Sequence, residues 1–91
     1  MNKVVNDIYG SRFVLDIDGS EVYVLYAKDK DVMELYSTYT PPDLRGQGLA
    51  EKVVLAALIY AEENNLKIIP GCWYVRKILE KHTKFQSLVI K

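Results

Sequence analysis

Three places in this sequence carry residues whose type and setting can do chemistry. They are the single cysteine Cys72, the turn Arg45-Gly46-Gln47-Gly48-Leu49-Ala50, and the titratable side chains Tyr74 and His82. Cys72 follows Pro70-Gly71 and opens a stretch with helical periodicity. A thiol at a helix start meets the positive end of the dipole, which lowers its pKa and favours the nucleophilic thiolate. A lone cysteine is also commonly a small buried hydrophobe, and the residue type alone permits either state. With one cysteine, no intramolecular disulfide can form. His82 lies further along the same predicted helix, and a continuous helix would hold it about 15 Å from Cys72. It is therefore expected at the helix end, where the dipole favours it, and not as a base for the thiol. Tyr74 reads from its spacing as an aromatic on the apolar face of that helix.

The turn from Arg45 to Ala50 joins a strand to a helix. Gly46 and Gly48 let backbone approach a ligand closely. The unpaired amides at the following helix start, with the dipole behind them, form an anion site. Arg45 adds a charge with fork geometry suited to phosphate. The same glycines also suffice for a tight turn that binds nothing. The turn is not a dinucleotide fingerprint, which needs a third small residue three positions on, and no Gly-Lys-Ser/Thr follows to make it a P-loop.

These residues need a scaffold, and the flanking sequence specifies one. Arg12 to Ile17 alternates, with Phe13, Leu15 and Ile17 on one face. Asp18-Gly19 is a tight hairpin signal, and Glu21 to Tyr26, rich in β-branched and aromatic residues, returns as the next strand. After the charged turn Lys28-Asp29-Lys30-Asp31, residues Val32 to Thr38 form a third strand, and Val4 to Tyr9 is expected to add one at the start. Pro41-Pro42 stops the sheet, having no backbone donors. From Gly48 to Asn64, Ala50, Val53, Val54, Ala57, Leu58 and Ala61 recur at helical spacing, with Glu51, Lys52, Glu62 and Glu63 outward. Leu66 to Ile69 is a short strand, Tyr74 to His82 a second helix, and Phe85 to Ile90 a final short strand. A crossover helix between the strands at 32–38 and 67–69 makes them parallel neighbours.

Ninety-one residues fit one domain, 1–91, with a modest core. Twelve basic and twelve acidic side chains cancel, so no global field points to nucleic acid or an anionic membrane. Met1 to Asp7 turns polar too early for a signal peptide, and no apolar run approaches the ~20 residues that span a bilayer. A cytoplasmic protein is expected, with no metal.

The glycine turn resembles the Arg/Gln-x-x-Gly-x-Gly/Ala signature of the GNAT acetyltransferase superfamily, satisfied by Arg45, Gly48 and Ala50. The run Thr38-Tyr39-Thr40-Pro41-Pro42-Asp43-Leu44-Arg45-Gly46-Gln47-Gly48-Leu49-Ala50, followed by Pro70-Gly71-Cys72-Trp73-Tyr74-Val75, resembles a group of very short GNAT-like proteins. The likeness covers most of the chain and is strongest from Thr38 to His82. It implies a minimal α+β acyl-CoA N-acyltransferase fold: antiparallel strands, then strand-helix-strand-helix with a splayed parallel pair. It implies acetyl-CoA as co-substrate, with the amides of Gly46, Gln47, Gly48, Leu49 and Ala50 on the pyrophosphate, beside Arg45, and Tyr39 and Thr40 along the pantetheine. By the same resemblance Cys72 lies near the acetyl thioester as a catalytic candidate, and Tyr74 protonates the departing thiolate. Trp73 is expected either to line the acceptor entrance or to cap a surface. The sequence departs from its relatives at Ser37-Thr38, where they often carry His-Thr, so that histidine has no counterpart as a base. The expected function is acetyl transfer to an amine. The alternatives are a non-catalytic acetyl-CoA-binding or sensing module, and a structural domain whose turn binds nothing.

Overall fold

The computed structural model describes residues 3–90. Met1 and Asn2, at the start of the segment read as too polar for a signal peptide, lie outside the described residues. Strands β1 (Val5–Asp7), β2 (Arg12–Ile17), β3 (Ser20–Asp29) and β4 (Val32–Tyr39) form an antiparallel meander. Helix α1 (Leu49–Glu63) then crosses to β5 (Lys67–Pro70), which is followed by α2 (Trp73–Lys81). The sheet order is β1-β2-β3-β4-β5, and β5 joins β4 in parallel.

Local chemistry accounts for each boundary. Asp18 and Gly19 both have positive φ, as a two-residue hairpin requires, and the Gly19 amide donates to Asp16 Oδ1 at 2.8 Å. The charged turn is tighter than its composition predicts. β3 runs on through Lys28 and Asp29, and only Lys30, at φ 57°, and Asp31 make the reversal. The first strand is shorter than Val4 to Tyr9, since Tyr9 is fully exposed and Ser11 turns the chain at φ 52°. Helix α1 ends at Asn64, whose Nδ2 and backbone amide both donate to Tyr60 O, and Asn65 takes the left-handed conformation that breaks it.

The final segment differs from expectation. Thr83–Leu88 is a 3-10 helix, and only Val89 pairs, in parallel, with Ile68 of β5. The reason lies in α2, whose C-terminal carbonyls need donors. Gln86 Nε2 donates to Leu79 O, and Phe85 turns inward to near-complete burial. A strand leaving α2 directly would make neither contact.

Both helices pack on one face of the sheet. Leu15, Val24, Leu35 and Ile68 meet Val53, Ala57 and Leu58 of α1 and Val75 and Ile78 of α2 in a single buried cluster. Ala57 and Ala61 let α1 approach the strands closely. Each fully buried Leu, Ile or Val contributes roughly 1.5–3 kcal/mol. The opposite sheet face has no helix against it, and Tyr36, Tyr39 and Ile69 stand exposed there.

One irregularity sets the site. β3 and β4 slip register between Leu25 and Tyr26, so that Tyr26 pairs with Leu35 and Leu25 with Ser37, leaving Tyr36 as an extra residue. Side chains alternate along a strand, so without this bulge Ser37 would share a face with Met33 and Leu35. With it, Thr38 does, opposite the buried Val24.

Candidate functional site

Strands β4 and β5 pair only from Val32/Lys67 to Leu35/Pro70. Beyond Pro70 the Gly71 amide donates to Leu35 O at 2.9 Å, and the chain then turns away into α2. β4 continues to Tyr39, paired on its other side with Tyr23 of β3. The edge of β4 from Tyr36 to Tyr39 therefore faces a slot. Both candidate groups follow the carboxyl ends of the parallel pair, where open sheets of this kind receive ligands.

One lip of the slot is the glycine turn. A 3-10 turn, Pro42–Leu44, leads from β4 to Arg45. Arg45 Nε donates to Thr40 O at 3.0 Å, so the guanidinium is anchored on its own loop. Gly46 and Gly48 lie at φ 82° and 74°, conformations that favour glycine, and a Cβ on either would point into open space. Gly48 is the N-cap of α1 and supplies no side-chain cap. The first intrahelical bond runs from Lys52 N–H to Gly48 O. The amides of Leu49, Ala50 and Glu51 thus precede the helix's own acceptors and are available to an anion.

The other lip is the start of α2. Cys72 is its N-cap, free and 9% exposed. Its Sγ stands 3.7 Å from Thr38 Oγ1 across the slot, a contact that the bulge at Tyr36 makes possible. Burial pushes the thiol up, but the amides of Val75 and Tyr74 and the hydroxyl and amide of Thr38 together hold it below the ordinary thiol range.

Tyr74 stands two residues beyond Cys72, in the first turn of α2. It packs edge-on to Trp73 at 5.7 Å between ring centroids and lies partly against the core. Burial first, then the Glu51 carboxylate, raises its pKa against a smaller opposing effect of Lys81, so the phenol keeps its proton. Trp73 is 67% exposed at the mouth of the helix.

His82 is the C-cap of α2, as its position predicts. Its Nε2 lies 2.7 Å from Glu51 Oε2, and Lys81 Nζ lies 3.0 Å from Glu51 Oε1. These partners hold the Glu51 carboxyl below its usual range, the His82 contact most of all. The amphipathic pattern assigns Glu51 to the outer side of α1, whereas it is half-buried and ties the start of α1 to the end of α2. No local signal carries that pairing, because the partners are 30 and 31 residues apart.

Tyr39 stands on the open face with its ring 5.6 Å from that of Tyr23, so its backbone, not its ring, borders the slot. The structure thus brings together Thr38 with Cys72, and Thr40 with Arg45. It keeps His82 with Glu51. No helix among the described residues is long and apolar enough to cross a membrane.

Comparison with known proteins agrees with this arrangement. The NMR solution structure of a GCN5-like protein from Staphylococcus aureus superposes with a TM-score of 0.72 at 27% identity, over 99% of this chain and 87% of that one. Protein NATD1 of Homo sapiens is 34% identical over 89 residues, 94% of this chain and 79% of its own length. Protein NATD1 of Danio rerio is 28% identical over the same share of this chain and 81% of its own. The family model described as GCN5-related N-acetyl-transferase matches residues 12–88. With the antiparallel meander, the crossover helix and the parted parallel strands in place, the chain belongs to the GCN5-related N-acetyltransferase family.

Proposed function

We propose that this chain, acting as one domain over residues 1–91, binds acetyl-CoA in the slot between β4 and β5 and transfers its acetyl group to an amine. The observation that carries this reading is the slot itself. Two parallel strands part after Leu35 and Pro70, with an uncapped helix start on one lip and a thiol of lowered pKa on the other. Bound acetyl-CoA supplies an activated thioester. The amides of Gly46, Gln47, Gly48, Leu49 and Ala50 hold its pyrophosphate, with Arg45 placed beside them by Thr40 O. The free edge of β4 at Tyr39, and Thr40 after it, take the pantetheine as an added strand takes a sheet edge.

The residues left have roles that balance. The Cys72 thiolate bonds to the acetyl carbon as that carbon's bond to the coenzyme sulfur breaks. The Tyr74 hydroxyl, kept protonated by burial and Glu51, gives its proton to the leaving thiolate. The acceptor, its ammonium proton first lost to water, then attacks as the neutral amine. The bond from the acetyl carbon to the Cys72 sulfur breaks, releasing the thiolate and a second proton, which restores Tyr74. Isothermal titration with coenzyme A tests the site, and thiol release from acetyl-CoA with and without amines tests the reaction. Absence of coenzyme A binding by the folded chain would sink the assignment.

A second reading, a non-catalytic acetyl-CoA sensor, has one observation in its favour. His82 is engaged by Glu51, so no imidazole stands beside Cys72 to act as its base. Binding without turnover, across a panel of amines, would select the sensor.

A further inference from the structure

We infer that a cavity on the open face of the sheet, about 470 Å³ in volume, binds a primary alkylammonium, with Glu34 meeting its charge; as the acceptor site, this rests on the transferase reading above. The volume falls within the ~300–1,000 Å³ of small-molecule sites. Alternation places Ala27, Val32, Glu34 and Ile69 on the face opposite the helices. Ala27 lies directly across from Glu34 in the β3–β4 ladder, and its small side chain leaves the floor of the cavity open. Val32, Ile69 and Ile90 supply apolar walls for a methylene stem.

Glu34 is half-buried, and no ion pair within 4 Å joins it to any lysine or arginine among the described residues. A carboxylate so placed lacks the cation that a partly apolar setting calls for. Lys28, on the rim, does not supply it, because its Nζ donates to Lys30 O at 3.0 Å. Asp29 and Asp31 line the same rim beside Lys28 and Lys30, so the rim charges cancel and Glu34 leaves the cavity one negative charge. Butyrate-like anions are repelled, and a neutral chain of the same length gains only the apolar contact.

Glu34 also reaches from the cavity to the turn before α2. A Cβ on Gly71 would lie 2.6 Å from Glu34 Oε2, so the carboxylate rests against the backbone just before Cys72.

The test is an amide-resolved NMR titration of the full chain, without acetyl-CoA, using n-butylamine, n-butanol and butyrate. Butylamine should move the signals of Ala27, Val32 and Ile69, while butanol and butyrate should not. Glu34→Gln should weaken butylamine binding at least about tenfold, the loss of one charged hydrogen bond. Gly71→Ala, which displaces the carboxylate but keeps its charge, should weaken it as well. Unmoved cavity signals, equal binding of butanol, or wild-type affinity in Glu34→Gln would each overturn the assignment. Coenzyme A titrated into the same samples separates the two readings. Amine binding lost with coenzyme A binding intact removes this site alone. Coenzyme A binding lost with amine binding intact removes the transferase reading alone.

Discussion

At Cys72 two opposing effects meet. Burial disfavours the thiolate, while three amides and the Thr38 hydroxyl favour it, and the second set prevails. The thiol should therefore react with iodoacetamide at lower pH than a free cysteine, whose pKa is near ~8.5. Thr38→Val should move that profile to higher pH and Thr38→Ser should restore it, since only the hydroxyl differs in kind. An unchanged profile in the valine variant would leave Thr38 as packing. Cys72→Ala should keep coenzyme A binding and lose transfer, and full turnover in that variant would reassign the thiol to pocket lining. The position of Cys72 at a helix start was legible from Pro70-Gly71 and the periodicity after it. Its partner was not. Strict alternation directs Ser37 to the helix face, and only the extra residue at Tyr36 turns Thr38 there. A bulge depends on how two strands meet, and β4 alone carries no mark of it.

The glycine turn and α1 show the same division among elements. Two glycines before an amphipathic run predict the strand-to-helix turn, and Gly48 at φ 74° fulfils it. Gly48→Ala places a methyl group in open space within the protein, yet its left-handed backbone should lower stability by roughly 1–2 kcal/mol. Because that methyl projects toward the proposed pyrophosphate, coenzyme A affinity should fall at least about tenfold, or ~1.4 kcal/mol. Calorimetry on samples shown to be folded by NMR checks this, and unchanged affinity would remove the phosphate role of the turn. Helix ends also carry an unpredicted bond, since Glu51 answers to His82 and Lys81 far along the chain. Its carboxyl pKa is lowered in the fold, so its stabilising effect is complete above its ordinary value near 4.5. That effect is lost as pH falls through the lower folded value. Glu51→Gln should thus lower the melting temperature at pH 6 and match wild type once the carboxyl of the latter is protonated. A constant difference down to pH 2 would mean that the carboxylate charge does not clamp the helices.

A chain of this length holds one small core, and its total stability is expected at about 5–15 kcal/mol, so the closing segment weighs heavily on the whole molecule. β5 is a four-residue strand at the sheet edge, and an open edge of unpaired backbone invites association. The segment after α2 covers part of it. Ile90 N–H donates to Ile68 O at 3.0 Å, and Lys67 Nζ donates to Ser87 O at 3.3 Å. Phe85, 1% exposed, fixes this segment to the core. A strand was the natural expectation for Phe85 to Ile90 from composition. The 3-10 turn prevails because it buries Phe85 and lets Gln86 satisfy α2 within a few residues. Phe85→Ala should therefore cost about 3–5 kcal/mol, the usual range for emptying an aromatic core site. Urea unfolding followed by far-UV circular dichroism should show a lowered midpoint at an unchanged slope, the sign of lost stability in an intact two-state fold. Amides of Ile68 and Ile90 should lose hydrogen-exchange protection in the variant before those of Leu15 and Val24, which lie in the central strands β2 and β3. Phe85→Leu, which refills most of the volume, should recover the greater part of both. If Phe85→Ala unfolds at the wild-type midpoint, the closing segment is an appendage, and β5 is held by β4 and α1 alone.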